Sequence, residues 1–201
     1  MTDSIADRAW RTFLATAWRP DFDGSATDDA PGEPRGNTHW GIIRATWKAA
    51  MAHNVVVSDQ NFDTAPQSDF GVVLRAVCWQ SIRGDQLSLV GGACGAGVAI
   101  VLANMAMATG AYRAVMLLQR TLGHLVVDGA MGPATFAATI RAITAGLDII
   151  GDMTRADEAF FASLPKAPMF LHGWTRRAEA FAVAARDLSH PPPQPSGEAT
   201  H

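Results

Sequence analysis

Four carboxylate side chains lie in one polar segment near the start of the chain, and they have the clearest potential for acid–base chemistry. Asp23, Asp28, Asp29 and Glu33 fall within residues 19–40, a stretch rich in Asp, Gly, Pro, Ser and Thr. Carboxyl groups donate or accept protons in catalysis when their surroundings tune their pKa. Acidic residues in such loops also cap turns or face solvent. The segment therefore holds either catalytic carboxylates or ordinary loop acids.

Other kinds of catalytic or metal site have no signature in this sequence. Nucleophile elbows, phosphate-binding loops, dinucleotide fingerprints and zinc-ligand spacings are all absent. The six histidines include no pair four residues apart, the spacing that places two ligands on one helix face. We therefore expect no metal ion and no organic cofactor. Cys78 and Cys94 are too few for a disulfide-stapled scaffold, and we expect both to be buried free thiols.

Composition excludes two broad classes of protein. The chain has 201 residues, of which 48% are hydrophobic and 17% charged, which is enough apolar material for one domain with a real core. Global disorder is therefore excluded. Sixteen basic residues against 19 acidic residues give a net charge of −3, so we expect no nucleic-acid partner. Six tryptophans against one tyrosine fit either a helical core or a groove lined with indoles.

Helical periodicity runs through most of the chain. The exception is the polar segment at residues 19–40, and we expect that segment to be a long loop with or without a short hairpin. The composition from Pro191 onward is typical of a disordered tail. The sequence thus predicts a mainly α fold. The predicted helices cover residues 4–18, 41–53, a segment starting at Thr64–Pro66, 95–109, 111–122, 133–145, 147–163 and 172–188.

One uncharged run has two interpretations. Residues 86–112 contain no charged side chain and are long enough to span a bilayer. The same run could instead be a buried central helix. Gly91, Gly92, Gly95 and Gly97 would weaken a single spanning helix. We therefore expect a buried helix and no stable membrane insertion.

Three separated motifs lead to a resemblance. Residues 31–42 read Pro-Gly-Glu-Pro-Arg-Gly-Asn-Thr-His-Trp-Gly-Ile. Residues 118–123 read Leu-Gln-Arg-Thr-Leu-Gly and are followed at 128–135 by Asp-Gly-Ala-Met-Gly-Pro-Ala-Thr. Residues 172–177 read His-Gly-Trp-Thr-Arg-Arg. In this order and spacing the chain resembles the family 108 glycoside hydrolases, N-acetylmuramidase endolysins with a lysozyme-like helical domain and a C-terminal peptidoglycan-binding-like part.

The resemblance aligns the polar segment with the catalytic segment of that family. The family pattern is roughly Glu-Gly-Gly-Tyr, then Asp-Pro-x-Asp-Pro-Gly-Gly-x-Thr-Asn-x-Gly-Ile. Asp23 stands in place of the family's catalytic glutamate, Glu33 in place of its second aspartate, and Thr38 matches its threonine. Further along, Asn104 and Ala108 stand where the family has an aspartate and an asparagine.

This alignment implies catalytic roles. Cleavage of a glycosidic bond requires a proton donor and a second carboxylate that stabilises the oxocarbenium or activates water. Asp23 would be the donor, Glu33 the second carboxylate, and Thr38 would orient a water molecule by hydrogen bonding. In the alternative pairing, Glu33 is the acid and Asp28 or Asp29 is its partner.

Substrate contacts are implied at three further positions. The resemblance points to His39, Trp40 and Asn104, and aromatic rings such as that of Trp40 can stack on the apolar faces of sugars. Trp174, in the third motif, is another stacking candidate.

Structural roles are expected elsewhere. We expect Asp128 to hold backbone amides in its turn rather than to contact sugar. Trp47 and Trp79 lie on predicted helices, where core packing is expected. Arg176 and Arg177 are expected to solvate a helix surface.

Two functional interpretations remain open from the sequence. The first is a phage or prophage muramidase that cleaves the β-1,4 bond between N-acetylmuramic acid and N-acetylglucosamine. The second is a catalytically inactive relative that binds the cell wall or forms part of a virion. We expect a lysozyme-like region at 1–110, a peptidoglycan-binding-like region at 111–190 packed in the same globule, and a tail at 191–201.

Delivery to the wall is a separate expectation. The first residues lack the basic and apolar regions of a secretory signal. We expect synthesis in the cytoplasm and arrival at the periplasm or cell wall through a holin or within a phage particle. Peptidoglycan, a holin and phage tail proteins are therefore the expected partners.

Overall fold

The computed structural model describes residues 3–20 and 37–189, and within them the fold is mainly α-helical, as the sequence predicts. A two-stranded hairpin, β1 (Thr38–His39) and β2 (Ile42–Ile43), precedes the second helix. A π-helical turn, Arg75–Gln80, extends the third helix. The helices are α1 (Ile5–Ala17), α2 (Arg44–Ala52), α3 (Gln67–Leu74), α4 (Gly84–Thr109), α5 (Ala111–Leu122), α6 (Pro133–Thr144), α7 (Ile149–Ala162) and α8 (Ala167–Ser189).

Helix α4 is the centre of the fold. It packs against α1, α5, α6, α7 and α8, and its residues 95–106 are all buried. The helix is interrupted at Gly92, whose φ of 60° and ψ of −145° are not helical. Among the described residues, α4 is the one helix with the length and apolarity to cross a membrane, yet 67% of its most apolar window is buried inside the protein. The uncharged run thus forms the central helix of the core.

A close approach between α4 and α8 joins the two halves of the chain. A Cβ atom at Gly97 would lie 2.8 Å from the carbonyl oxygen of Ala185, so only glycine lets the two helices pack at this distance. One continuous apolar cluster runs from Ala9 on α1 to Ala185 on α8. Helices from both ends of the described chain therefore contribute to one apolar core.

The hairpin lies against the C-terminal part of α4. Thr38 pairs with Ile43 and His39 with Ile42. The two residues between the strands, Trp40 and Gly41, have positive φ values of 50° and 77°, the pattern of a type I′ hairpin turn. Gly41 faces the side chain of Met107 on α4. This contact holds the predicted short hairpin beside the end of the central helix.

The two cysteines have different environments. Cys78 is buried, and burial raises the pKa of its thiol to about 12. Cys94 is exposed, so the prediction that both thiols are buried is wrong for this residue. Cys94 lies two residues after the break at Gly92, on the part of α4 that precedes its buried stretch.

Candidate functional site

A groove of about 340 Å³ lies between the hairpin, the end of α4 and the corner formed by α7 and α8. Three basic side chains line it, and none of its described lining residues is acidic. We call it the basic groove. Its lining residues are Thr38, Gly41, Ile43, Asn104, Met107, Ala108, Thr109, Arg113, Phe160, Phe161, Leu164, Lys166, Phe170, Trp174 and Arg177.

One wall of the basic groove is aromatic. Trp174 on α8 lies 4.9 Å from Phe161 and 5.6 Å from Phe170, measured between ring centroids. Phe160 continues the set on α7, with its ring centroid 5.7 Å from that of Phe161. Phe170 and Trp174 are four residues apart on α8 and therefore share one helix face. The wall offers apolar ring surfaces of the kind on which sugars stack.

Two cations lie over this aromatic wall. The guanidinium carbon of Arg113 is 5.0 Å from the ring centroid of Phe160. The ammonium nitrogen of Lys166 is 5.9 Å from the ring centroid of Phe170. Both side chains belong to exposed residues. The rings attract these two side chains toward the groove, and an aromatic ring, unlike a carboxylate, does not neutralise their positive charge.

Arg177 connects the groove to a buried polar group on α4. Its Nε donates a hydrogen bond to Oδ1 of Asn104 at 3.0 Å, and Asn104 is only 2% exposed. The guanidinium also lies over the ring of Phe181, 5.7 Å from its centroid. The prediction that Arg177 solvates a helix surface is therefore wrong, because the side chain is directed inward toward α4.

Asp157 does not line the groove, but it is near enough to Arg177 for the guanidinium charge to act on its carboxyl. The residue is 1% exposed, and neither carboxylate oxygen has a hydrogen-bond partner. Burial raises the pKa of this carboxyl to about 7, against the opposing effect of the Arg177 charge and with a further contribution from Glu158. We call Asn104, Arg177 and Asp157 the Arg177 cluster. Sequence reasoning did not select Asp157, since one acid on an amphipathic helix carries no motif.

The structure brings two of the predicted site residues into the basic groove and places two others in packing contacts outside it. Thr38 and Asn104 both line the basic groove, although 66 positions separate them in the sequence. His39 stacks on Phe62 at 4.5 Å and is only 8% exposed. Trp40 packs against Trp18, whose Nε1 donates to the Trp40 carbonyl oxygen at 3.3 Å. Substrate contact by His39 and Trp40 stays a prediction, and neither side chain is among the groove lining.

Asp23, Asp28, Asp29 and Glu33 all lie outside the described residues. The segment that carries them connects α1 to Thr38, which is at the edge of the basic groove.

The second sequence motif forms a hydrogen-bonded turn rather than part of the groove. Gln119, only 1% exposed, donates through Nε2 to Asp128 at 2.7 Å and to Thr135 at 2.9 Å. Its Oε1 accepts from the Gly129 amide at 2.9 Å. Asp128 also accepts from the Ala130 amide at 2.9 Å, and these bonds lower the pKa of its carboxyl. We call these residues the Gln119 cluster, and it confirms the prediction that Asp128 holds backbone amides.

The other predicted packing roles are also found in the structure. Trp47 and Trp79 are 3% and 0% exposed, so both tryptophans belong to the core. A larger cleft of about 590 Å³ lies on the face formed by α1 and α3, lined in part by Trp10, Trp18 and Arg75. No predicted site residue lines that cleft. Among the described residues, no group of three or more His, Cys, Asp or Glu side chains could hold a metal ion.

Comparison with known proteins relates the groove to a family. Residues 113–179 match the family model described as a predicted peptidoglycan domain. Every groove residue from Arg113 to Arg177 falls in that match. The solved structure of Brucella abortus SagA has a TM-score of 0.70 and 28% sequence identity, covering 90% of this chain and 97% of that one. No curated protein matches the chain. The fold is mainly α and lysozyme-like.

Proposed function

We propose that this protein binds bacterial peptidoglycan in the basic groove and hydrolyses the β-1,4 bond between N-acetylmuramic acid and N-acetylglucosamine. One observation carries the proposal. The groove joins the segment that matches a predicted peptidoglycan domain to Thr38 and Asn104, two residues selected from the sequence for this chemistry. Its aromatic wall, centred on Trp174, offers the surfaces that a glycan chain requires.

The catalytic roles follow the chemistry of glycoside hydrolysis. Asp23 protonates the leaving oxygen, and Glu33 stabilises the developing oxocarbenium or activates water. Thr38, on the groove wall, orients the water molecule through its hydroxyl group. The donor must remain protonated near neutral pH, which requires an apolar or aromatic environment that raises its pKa. In the alternative pairing, Glu33 is the acid and Asp28 or Asp29 its partner.

Membership of glycoside hydrolase family 108 is part of the same proposal. The same proposal includes the route to the bacterial cell wall. The protein either leaves the cytoplasm through a holin or acts as part of a phage particle, next to tail proteins.

A digest of purified sacculi tests the proposal, with the soluble products identified by mass spectrometry. We expect fragments with reducing N-acetylmuramic acid ends from the wild type. Asp23→Asn and Glu33→Gln should each abolish release while leaving the thermal unfolding curve unchanged, and Asp28→Asn with Asp29→Asn serves as the matched control. Loss of release in that control, with retention in Asp23→Asn, would support the alternative pairing. Anhydro-muramic acid ends would contradict hydrolysis and indicate a lytic transglycosylase.

A second candidate function is wall binding without catalysis. The observation that favours it is that Asn104 and Ala108, which both line the groove, stand where the resembling family has an aspartate and an asparagine. In that case the protein is a wall-binding or virion component. Folded protein that sediments with sacculi but releases no fragment at any pH from 4 to 8 would establish this second function.

A further inference from the structure

We propose that the basic groove also recognises the free carboxylates of peptidoglycan stem peptides, and that Arg113 and Lys166 are the residues that bind them. This inference rests on the proposed function, because it specifies which part of the same polymer the groove contacts beside the glycan. The N-acetylated sugars of the polymer carry no charge, whereas the stem peptides carry carboxylates. A groove that bound glycan alone would need aromatic and neutral polar groups only.

The charge of the described groove lining differs in sign from the net charge of the molecule. Arg113, Lys166 and Arg177 contribute three positive charges to the described lining, and no described lining residue is acidic. The whole chain has a formal net charge of −3. A local excess of positive charge on a negatively charged protein attracts anionic groups to that place and guides their approach.

Arg113 and Lys166 also differ from the five arginines that pair with an acid. Neither Arg113 nor Lys166 forms a salt bridge within the described residues, and each lies over an aromatic ring. Their charges are therefore available to a carboxylate ligand, which a planar guanidinium binds through two parallel hydrogen bonds. Arginines that pair with an acid on other faces are Arg11, Arg44, Arg75, Arg155 and Arg186.

The positions of the cations fit a ligand that is both apolar and anionic. Arg113 lies over Phe160 and Lys166 over Phe170. Trp174 stacks with Phe170 and contacts Phe161, so aromatic surface continues between the two charged positions. Alanine methyl groups and the sugar ring face can contact these rings while peptide carboxylates pair with the cations.

The test compares intact sacculi with the same sacculi after their free carboxylates have been converted to neutral amides by a water-soluble carbodiimide and ammonia. Binding is measured by co-sedimentation at 4 °C over a range of protein concentrations. We expect the wild type to bind amidated sacculi about tenfold more weakly than intact sacculi. The double variant Arg113→Gln with Lys166→Gln should bind both substrates at that weaker level. Lys166→Glu should bind intact sacculi more weakly still.

A matched control has the same change in charge away from the groove. Lys48→Gln with Arg141→Gln alters two exposed basic residues on α2 and α6 and should bind intact sacculi like the wild type. All four substituted residues are exposed, and thermal unfolding checks that each variant folds. Equal binding of the wild type to amidated and intact sacculi would overturn the inference and leave the proposed function standing. Wild-type protein that bound neither would overturn both.

Discussion

The Gln119 cluster and the Arg177 cluster each contain buried polar side chains, but they differ in how completely the hydrogen bonds of those side chains are made. Both polar atoms of the Gln119 side chain have partners in the turn at residues 128–135. In the Arg177 cluster both oxygens of Asp157 lack a hydrogen-bond partner. A satisfied network stabilises a fold, whereas an unsatisfied buried carboxyl costs free energy of folding.

The two clusters also differ in whether their residues line the basic groove. Residues 113–179 contain the Gln119 turn as well as the aromatic wall of the groove. The turn holds α5 to α6 and does not line the groove. Asn104 and Arg177 line the groove, and the charge of Arg177 acts on the carboxyl of Asp157. Substitutions in the first cluster should therefore change stability alone, and substitutions around the second should change pH dependence or binding.

The largest expected effect is on stability at the turn. Gln119→Ala removes the partner of Asp128, Thr135 and Gly129 and leaves a small cavity, which should lower the free energy of unfolding by about 3 kcal/mol. Chemical denaturation measures this loss. The exposed Gln60→Ala is the matched control and should unfold like the wild type. Equal unfolding midpoints for the two variants would contradict a structural role for the motif.

The next effect is the pH dependence caused by Asp157. Its pKa of about 7 in the folded protein lies above that of the unfolded chain, so folding favours the protonated form. This stabilisation is fully present below about pH 4 and is lost as the pH rises to about 7. Between pH 5 and pH 8 the free energy of unfolding should fall by roughly 2–3 kcal/mol.

Asp157→Asn should remove this dependence, because the amide does not ionise. The described carboxyls of lowered pKa (Asp7, Asp59, Asp63, Asp69 and Asp128) titrate below pH 5 and do not contribute over this range. Denaturant unfolding at pH 5 and pH 8 measures the difference, and the half-exposed Asp152→Asn on the same helix is the control. A wild type with equal stability at both pH values would show that Asp157 is not the buried titrating group.

The free energy of binding to sacculi should change by a smaller amount when the central ring of the aromatic wall is removed. Trp174→Ala deletes the ring shared by Phe161 and Phe170, and we expect about tenfold weaker binding to sacculi. Tyr112→Ala is the control, since Tyr112 is 64% exposed and outside the groove lining. If the Tyr112 variant lost as much affinity as the Trp174 variant, the basic groove would not be the binding site.

The smallest expected effect comes from Asp128→Ala. The variant loses the hydrogen bonds to Gln119 and to the Ala130 amide, both at an exposed residue. Its unfolding midpoint should fall by less than that of Gln119→Ala, and its binding to sacculi should not change. A specific loss of binding with unchanged stability would assign Asp128 to the substrate site instead.

Helix positions were predictable from the sequence where a capping residue and an apolar periodicity mark them locally. Ser4 caps α1 through a reciprocal hydrogen-bonded pair with Asp7, and the helix occupies Ile5–Ala17 within the predicted 4–18. The start of α3 was less well predicted, since Thr64 bonds to Asp59 and Pro66 is the N-cap. The central helix begins at Gly84 rather than at 95. Its first part precedes the break at Gly92, and Gly91 and Gly92 weaken the helical signal of that part in the sequence.

The groove was only partly predictable from the sequence. Thr38 and Asn104 entered through motif positions, and both line it. The bond between Arg177 and Asn104 joins residues 73 positions apart, and the environment of Asp157 depends on the packing of α7 beside α8. Such contacts arise from tertiary structure and leave no local pattern in the sequence.

Hydrogen exchange in the presence of a soluble peptidoglycan fragment tests the central claim most directly. Exchange of backbone amides reports where a bound ligand stabilises local structure. The account predicts slower exchange in peptides that cover residues 104–113 and 160–177, with no change at 125–135. Protection confined to 125–135, or no protection in folded protein at saturating fragment, would contradict binding in the basic groove.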